Sequence, residues 1–528
     1  MEEKRKYPRH NILFPLKIRS KSKQIKGNAH VRDVSLGGVY FITNIELKKG
    51  TRIDLSFVPP EEIGGRFFDF KITPTGTVKR IEQELNQQKG VAVEFDLNLK
   101  DFIIQKIYKP IKRNALILFV FILMNIFLLK SINFQFFWHS PPVNLYSIIV
   151  SSYVLSRLLF ALFYLPSPDN KITPTISVVI PVKNEERIIA ATIECIYNCG
   201  YPHDKYEVIV ANDNSRDETL NELYKIQGKY NDLTILNFKE DAGKRDAMAA
   251  GFFQAKNDIL IVIDSDSFIS SQALYNIVQD FKNPKVAAVA GHTDVYNAQE
   301  NALTKMQTVR YFLAFKIMKA AESVFSSVTC CPGCFSAYRR SYVLPLLEQW
   351  RNQKFLGATC TFGDDRSLTR LILKRYKIKY NANAIAYTVV PNRYRNFLNQ
   401  QLRWKKSWRR ETLLASVFMW KKNVFMAASF YLGFILPIIS PLVAIAAIVY
   451  RPVISGQLPF GYLYGVLLVS LIYSLYYRFS RPSRIWWYGV YFSFFYLFVL
   501  AWQNYIAIFT IADTRWGTRN ESRKNLRG

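Results

Sequence analysis

The fold of this chain is decided by the stretch Ile259-Leu-Ile-Val-Ile-Asp-Ser-Asp266. Five consecutive aliphatic residues predict a strand buried on both faces, of the kind found in sheets that helices cover. Two aspartates follow closely, and residues two apart on an extended chain point the same way. Both carboxylates can therefore converge on one hard cation. The stretch predicts an α/β sheet with a Mg²⁺ or Mn²⁺ site, held by Asp264 and Asp266, at the end of a strand.

Two earlier strand-like runs also end in polar residues. Residues 176–180 lead into Pro181-Val-Lys-Asn-Glu185, and a second run leads into Asn212-Asp213. Helical periodicity separates the runs, and this β-α-β rhythm predicts a mostly parallel sheet with covering helices. Strand ends that carry acidic or amide groups at one sheet edge predict a nucleotide site, whose cation would bridge a diphosphate. Asp213 can accept a hydrogen bond from a nucleobase imide there.

The composition indicates soluble domains joined to membrane spans. The chain has 528 residues and a formal net charge of +30, and 50% of its residues are hydrophobic while 21% are charged. This charge predicts anionic partners, for which nucleic acid, lipid headgroups and a nucleotide-sugar all qualify. Cys330, Cys331 and Cys334 lack a further ligand at zinc-like spacing, so we interpret them as packing residues. We expect no disulfide framework.

Long apolar runs lie on both sides of the central region. A membrane-spanning helix needs about 20 apolar residues, and Lys and Arg mark the cytoplasmic side of a span. Two spans are expected before the central region, with a buried helix pair as the alternative, and Arg157 in the second either snorkels or faces a polar path. The runs are 115–129, 145–165, 424–449, 460–477 and 485–511.

The number of C-terminal passes stays open. Three spans would put the basic tail outside, against the positive-inside rule. Either one long segment, interrupted by Pro437 and Pro441, holds two passes, or a stretch is re-entrant.

The N-terminal segment predicts a small antiparallel β-barrel, because short alternating runs are separated by Gly, Pro and Asn turns. We therefore expect five regions along the chain. They are a barrel (1–110), two transmembrane helices (114–166), an α/β domain with interfacial helices (172–422), C-terminal transmembrane helices (424–511) and a basic cytoplasmic tail (512–528).

Further motifs follow the first three in a fixed order. They are Gly363-Asp364-Asp365 and Gln400-Gln-Leu-Arg403-Trp404. Together the five motifs resemble those of inverting family 2 glycosyltransferases, and more narrowly the processive synthases of hyaluronan, chitin and cellulose. The resemblance covers residues 175 to 519 and implies a GT-A-type transferase domain in the cytoplasm. One departure is Asn212, where the family usually has aspartate, and it leaves the base selectivity of the site open.

The resemblance implies a role for each matched residue. Asp365 is the general base that takes a proton from the acceptor hydroxyl, although a helix N-cap is its alternative role. Arg403 pairs with the diphosphate, while Trp404 and Gln400 hold the acceptor sugar. The nucleotide-sugar would contact Pro181, Glu185, Asp213 and Lys244, and Arg245 is a further candidate contact.

Two segments near the motifs predict contact with the membrane. The basic run of Lys405, Lys406, Arg409 and Arg410 either binds diphosphate or lies on the anionic inner leaflet, because apolar residues follow it at helical spacing. The helix predicted over residues 303–326 can also face the membrane.

The N-terminal barrel carries Arg5-Lys-Tyr-Pro-Arg9 and then Asp33-Val-Ser35-Leu-Gly37-Gly38. This pair of motifs resembles PilZ domains, which are receptors for cyclic di-GMP. Two arginines on an arm can grip phosphates and read guanine. Asp33 and Ser35 can bond the other guanine edge, and Gly38 lets the backbone come close.

These observations predict a processive inverting glycosyltransferase that polymerises a β-linked exopolysaccharide from a UDP-sugar, moves it across the membrane and is activated by cyclic di-GMP. The expected location is a bacterial inner membrane, with the growing polysaccharide and the lipid bilayer as partners and no nucleic acid. Two alternatives stay open. One is a single-transfer enzyme that acts on a lipid-linked acceptor, and the other is a catalytically dead cyclic di-GMP receptor.

Overall fold

The structure is a computed structural model that describes residues 10–19, 26–60, 70–83, 88–135, 141–230, 232–456 and 458–513. Arg5 and Arg9 lie outside the described residues. The chain divides into two compact units, of which the first comprises residues 1–130 and 467–490, and the second residues 131–466 and 491–528.

The first unit contains a closed six-stranded barrel, as the sequence predicts. Its strand order is β1-β2-β3-β6-β5-β4, and all six pairings are antiparallel. Alternating residues such as Val39 and Phe41 point inwards and are buried. The strands are β1 (His10–Arg19), β2 (Lys26–Val34), β3 (Gly38–Thr43), β4 (Arg52–Ser56), β5 (Thr75–Gln83) and β6 (Lys89–Phe95).

The second unit is built on an eight-stranded sheet. Its strand order is β11-β16-β12-β13-β10-β7-β8-β9. Four of the seven pairings are parallel, and the antiparallel ones involve β11 and β13. The strands are β7 (Ile176–Val182), β8 (Tyr206–Asn212), β9 (Leu233–Asn237), β10 (Ile259–Val262), β11 (Ser267–Ile269), β12 (Val286–Val295), β13 (Ser336–Arg339) and β16 (Lys377–Thr388), and β14 (Lys354–Phe355) pairs separately with β15 (Ala358–Thr359).

The centre of this sheet is buried on both faces. Every residue of β7, β10 and β12 is buried, because helices cover the sheet on each side. The helices between residues 185 and 375 are α4 (Ile189–Tyr197), α5 (Thr219–Gln227), α6 (Lys244–Gln254), α7 (Ala273–Val278), α8 (Ala302–Leu313), α9 (Ala320–Val324), α10 (Arg340–Val343), α11 (Leu347–Arg351) and α12 (Asp364–Leu373). The parallel strands β10, β7 and β8 therefore end at one edge, as the sequence predicts.

Several helices outside the sheet are apolar. Four helical stretches in the described part of the chain are long and apolar enough to cross a membrane: Leu99–Leu129, Asn144–Leu162, Val424–Ile454 and Phe460–Ser480. The bent pair Arg484–Leu500 and Gln503–Phe509, with 44° between its halves, gives a fifth candidate. The helices are α1 (Leu99–Phe102), α2 (Lys109–Gln135), α3 (Pro141–Leu162), α13 (Tyr394–Met419), α14 (Val424–Ile445), α15 (Arg451–Ser455), α16 (Phe460–Ser480), α17 (Tyr488–Phe495) and α18 (Gln503–Phe509).

The C-terminal helices favour one of the alternatives left open by the sequence. Helix α14 runs through Pro437 and Pro441 as a single helix, so these prolines do not divide it into two passes. The break falls instead between Leu500 and Gln503, where the bent pair has the form of a broken or re-entrant span.

Helix α6 lies unusually close to strand β7. A Cβ atom at Gly251 would overlap the side chain of Val179 in the fully buried centre of the sheet. We predict that Gly251→Val destabilises the protein by about 1–3 kcal/mol, because overpacking forces side chains and backbone apart. Thermal unfolding of the purified protein measures this as a lower Tm. Gly228→Ala is the matched control, because a Cβ there meets only ordinary contacts at 3.4 Å and beyond; equal Tm values for the two variants would contradict the prediction.

Candidate active site

A cavity of about 440 Å³ opens beside the carboxyl ends of the central strands. It gathers eight of the ten residues for which the sequence predicts a role in transfer. They are Glu185, Lys244, Asp264, Asp266, Asp365, Gln400, Arg403 and Trp404. The other two, Pro181 and Asp213, do not belong to the lining of this cavity. The roles predicted for all ten side chains stay predictions.

Asp264 and Asp266 stand at the cavity wall directly after strand β10. The ammonium group of Lys244 lies 2.5 Å from Asp264 Oδ1, where it offsets the negative charge of this carboxylate. The segment that holds Cys331 and Cys334 closes over the pair. A Cβ atom at Gly333 would lie 3.1 Å from Asp264 Oδ2 and 3.2 Å from Lys244 Nζ, so only glycine leaves this space open.

The donor set fits a divalent cation of the Mg²⁺ or Mn²⁺ type. In the part of the chain that the structure describes, no group of three or more His, Cys, Asp or Glu residues is placed to hold a metal ion. Magnesium commonly needs only one or two carboxylates, because phosphates and waters complete its shell. Asp264 and Asp266 would hold it, and the Lys244 ammonium beside Asp264 shows that this position attracts positive charge.

Asp213 lies just behind the cavity rather than in its wall. Its side chain is buried, and its Oδ1 atom accepts from the backbone N–H groups of Ala242 (2.7 Å) and Gly243 (3.0 Å). Its Oδ2 atom lies 3.2 Å from Lys183 Nζ. Asp213 therefore fixes the loop that delivers Lys244 to the cavity, which is a positioning role that the sequence did not predict.

The Asn212 amide is already engaged at both ends. Its Nδ2 atom donates to Asn237 (2.8 Å), and its Oδ1 atom accepts from Ser215 (2.5 Å). The side chain is buried. In this arrangement the amide ties the end of β8 to β9, and a charged aspartate could not make the donor half of that link.

Asp365 is the second residue of helix α12 and lines the cavity. Its Oδ1 atom accepts from the backbone N–H of Arg366 at 2.8 Å, while Gly363 occupies the N-cap position itself. Gly363 has a φ of 82°, and a Cβ there would crowd Ser407 and Arg410. Glycine is thus required for the turn that aims Asp365 at the cavity.

The neighbouring Asp364 is held by a buried ion pair. Arg245 donates from Nε to Asp364 Oδ1 at 2.8 Å and from Nη1 to the carbonyl of Trp350 at 2.9 Å. Arg245 is therefore not a nucleotide contact in this structure, because its guanidinium is buried against helix α12. It supports the turn that carries Asp365 from behind.

Cys330 also meets the candidate base. Its thiol donates to Asp365 Oδ2 at 3.4 Å, and burial is the main cause that raises its pKa to about 11. The group is thus a protonated thiol at neutral pH rather than a thiolate. All six cysteines are free thiols.

The far wall of the cavity comes from helices α8 and α13. Trp404 lies beside Tyr311, with 6.4 Å between ring centroids. Arg310 donates to Gln401 Oε1 at 2.8 Å, and burial lowers its pKa. Sequence reasoning missed Arg310 and Tyr311, although an arginine and a tyrosine within a largely apolar helix are a recognisable pattern. It also expected this helix to face the membrane, whereas Val309 and Phe312 are buried and α8 packs on β12.

Three of the four cations of the basic run on α13 are buried, which corrects both interpretations made from the sequence. Arg409 and Arg410 are each 2% exposed, so they neither lie on a lipid surface nor reach a diphosphate. Arg409 donates to the Phe434 carbonyl at 3.0 Å, and Arg410 to Glu411 at 2.8 Å. Of the apolar residues after them, Leu413 and Val417 are exposed whereas Phe418 is buried.

Lys405 and Lys406 bind groups in the segment around and after the helix break at residue 500. Lys405 Nζ donates to the Leu500 carbonyl, and Lys406 pairs with Asp513 at 3.2 Å. Burial, followed by the charge of Arg310, lowers the pKa of Lys405 to about 7.

The barrel brings its three described motif residues together between β2 and β3. The Ser35 N–H donates to the Gly38 carbonyl at 2.9 Å, and Ser35 Oγ accepts from the Gly37 N–H at 3.3 Å. A Cβ at Gly38 would strike the Val93 carbonyl of strand β6. Asp33 is the penultimate residue of β2, and it pairs with Tyr40 of β3 beside this turn.

Comparisons with known proteins agree with the motifs. The family described as "Glycosyl transferase family 2" matches residues 177–347, and the family described as "PilZ domain" matches residues 3–108. The hyaluronan synthase of Streptococcus pyogenes is 29% identical over 419 residues, which cover 78% of this chain and 99% of that protein.

Two further proteins are similar to parts of the chain. An N-acetylglucosaminyltransferase of Rhizobium meliloti is 32% identical over 285 residues, which cover 52% of this chain and 67% of that protein. The solved mannosyltransferase of Pyrobaculum calidifontis has a TM-score of 0.48 at 20% identity, and it covers 68% of this chain and 99% of its own.

Four of the five ordered motifs line one cavity, and the two family matches lead to the same assignment. The chain belongs to glycosyltransferase family 2 and carries an N-terminal PilZ domain.

Proposed function

We propose that the protein is a processive, inverting glycosyltransferase that polymerises a β-linked exopolysaccharide from a UDP-sugar and moves it across a bacterial inner membrane, under activation by cyclic di-GMP. One observation carries the proposal. A single cavity holds the paired carboxylates Asp264 and Asp266, the candidate base Asp365, and the acceptor-side residue Trp404. The similarity of this chain to the hyaluronan synthase of Streptococcus pyogenes, which covers 99% of that protein, supports a polymer product.

The cavity has two sides with different chemistry. On the donor side, Asp264 and Asp266 would hold a Mg²⁺ or Mn²⁺ ion, which neutralises charge on the diphosphate leaving group. Lys244 and Arg403 line the same space, so their positive charges also favour a diphosphate.

The acceptor side positions the nucleophile. Trp404 offers an aromatic face to a sugar ring, and Asp365 is the carboxylate at the start of α12 that accepts the hydroxyl proton. The acceptor oxygen then attacks the anomeric carbon from the face opposite the diphosphate. The new C–O bond forms as the bond to the diphosphate breaks, and the configuration at carbon inverts.

The apolar helices on both sides of the transferase domain support a place in the membrane. The described residues include up to five candidate spans. Polar atoms at the break after Leu500 are served by Lys405, as broken helices require at membrane depth. We place the transferase and PilZ domains on the cytoplasmic side, where UDP-sugars and cyclic di-GMP are available.

The PilZ barrel has a physical connection through which a ligand could act. Arg484, in the segment between α16 and α17, lies over the Phe70 ring of the barrel at 5.6 Å. A ligand that binds at Ser35 and Asp33 and shifts the barrel would bias the position of this segment.

The size of the product separates the polymerase from a single-transfer enzyme. Purified protein given individual UDP-sugars with Mg²⁺ or Mn²⁺ should release UDP and produce a ladder or high-mass smear on a gel. A product with one added sugar would contradict processive synthesis, and no UDP release with any donor would favour a dead receptor.

Replacement of the candidate base tests the chemistry. Asp365→Asn should lower UDP release by about 10²–10⁴-fold, because an amide cannot accept the proton. UDP binding should be retained. Asp232→Asn is the control, since Asp232 accepts from Tyr197 elsewhere in the domain. An unchanged rate for Asp365→Asn would refute the assignment.

Cyclic di-GMP should raise the rate of polymer synthesis at least about 5-fold at saturation, which is the lower end of ordinary allosteric coupling. Asp33→Ala should raise the ligand concentration needed for half activation about tenfold, because it removes hydrogen bonds to the ligand. Ser56→Ala, on another strand of the same barrel, should respond as wild type does. Equal rates with and without saturating ligand would remove this part of the proposal.

A further inference from the structure

A second cavity, of about 110 Å³, lies apart from the donor and acceptor residues. Helices α3, α12, α13 and α14 form its walls, and Arg366 borders both cavities. One water occupies about 30 Å³ in the liquid. The space is therefore large enough for a group of several heavy atoms.

Two buried side chains that line this cavity carry polar atoms with no hydrogen-bond partner among the described residues. Arg157 is 4% exposed, and its Nε and Nη1 atoms meet no hydrogen-bond acceptor among the described residues. Ser429 Oγ, 5% exposed, is likewise unsatisfied within the described part of the chain. Arg157 does contact the Tyr153 ring at 5.4 Å. A buried guanidinium with two idle N–H groups is costly unless an anion compensates it.

The charges around the cavity leave a positive excess. Three arginines and two glutamates line it, which gives a net charge of +1. Glu411 is already engaged, because Arg370 lies 2.7 Å and Arg410 lies 2.8 Å from its oxygens. Glu322 accepts from the backbone and the hydroxyl of Thr329. Neither carboxylate is paired with Arg157.

We propose that this cavity binds a phosphate group between Arg157 and Ser429. A guanidinium presents parallel N–H donors that match two oxygens of a phosphate. The hydroxyl of Ser429, which comes from a different helix, can donate to a third oxygen. Donors from two helices suit a tetrahedral oxyanion better than a planar carboxylate.

The phosphate can belong to a phospholipid headgroup or to a soluble anion. Both donors lie at a similar depth in candidate spans. Arg157 is five residues before the end of α3 at Leu162, and Ser429 is five residues after the start of α14 at Val424. Five residues of helix correspond to about 8 Å, which is a depth that a headgroup can reach.

The test uses full-length protein in dodecyl maltoside, a detergent without phosphate, and adds either phosphatidylglycerol or inorganic phosphate. Wild-type Tm should rise by about 2–4 °C with a compound that binds. Arg157→Met should bind about 10- to 100-fold more weakly, since it loses charge-assisted hydrogen bonds. Lys421→Met is the matched control, because Lys421 is a cation in the turn between α13 and α14, lies outside the cavity and stacks on Trp420.

Each outcome decides the proposal. A shift with phosphatidylglycerol alone assigns the site to a lipid, and a shift with inorganic phosphate assigns it to a soluble anion. No shift with either compound, or an equal shift in wild type and Arg157→Met, overturns the proposal and leaves the cavity to water. If Arg157→Met does not fold, Ser429→Ala decides in its place, because binding equal to wild type would overturn the proposal. The readout does not depend on transferase activity.

Discussion

The structure depends on the electrostatics of one sheet edge, where several carboxylates lie close together. Like charges repel, so each acidic group at this edge needs a cation or a set of donors. Three ion pairs meet this need: Lys244 with Asp264, Lys183 with Asp213, and Arg245 with Asp364. These pairs hold the strand ends, the loop before α6 and the turn before α12 in one arrangement. A divalent cation with a nucleotide diphosphate would complete the same balance of charge, which is why this edge suits a nucleotide-sugar.

A second constraint acts on the helices around the transferase domain. A broken helix frees carbonyl groups that water cannot reach in a bilayer. Helix α13 meets this need through Lys405, which donates to the Leu500 carbonyl. The same helix carries Arg403 and Trp404 on the cavity side. Helix α13 thus contacts both the cavity, through Arg403 and Trp404, and the apolar helices, through Lys405.

The sequence predicted the parts of the fold that local pattern determines. The aliphatic runs predicted strands β7, β8 and β10. Eight of the side chains that the motifs singled out line one cavity in the structure. The sequence did not predict the burial of the basic run and of Arg245, because their partners lie far along the chain. Lys405 donates to the Leu500 carbonyl, and Arg245 pairs with Asp364. No local pattern distinguishes such a buried cation from an exposed one. The arginines of the PilZ motif lie outside the described residues.

The central claim is that the strand-end carboxylates, one cation and one diphosphate form a single site that faces Asp365. A cryo-EM map of the full-length protein with UDP and Mn²⁺ tests it most directly. We expect density for the ion against Asp264 and Asp266, with the diphosphate beside Arg403 and with Lys244 drawn from Asp264 towards the phosphates. UDP bound elsewhere, or an ion that does not touch either aspartate, would contradict the account.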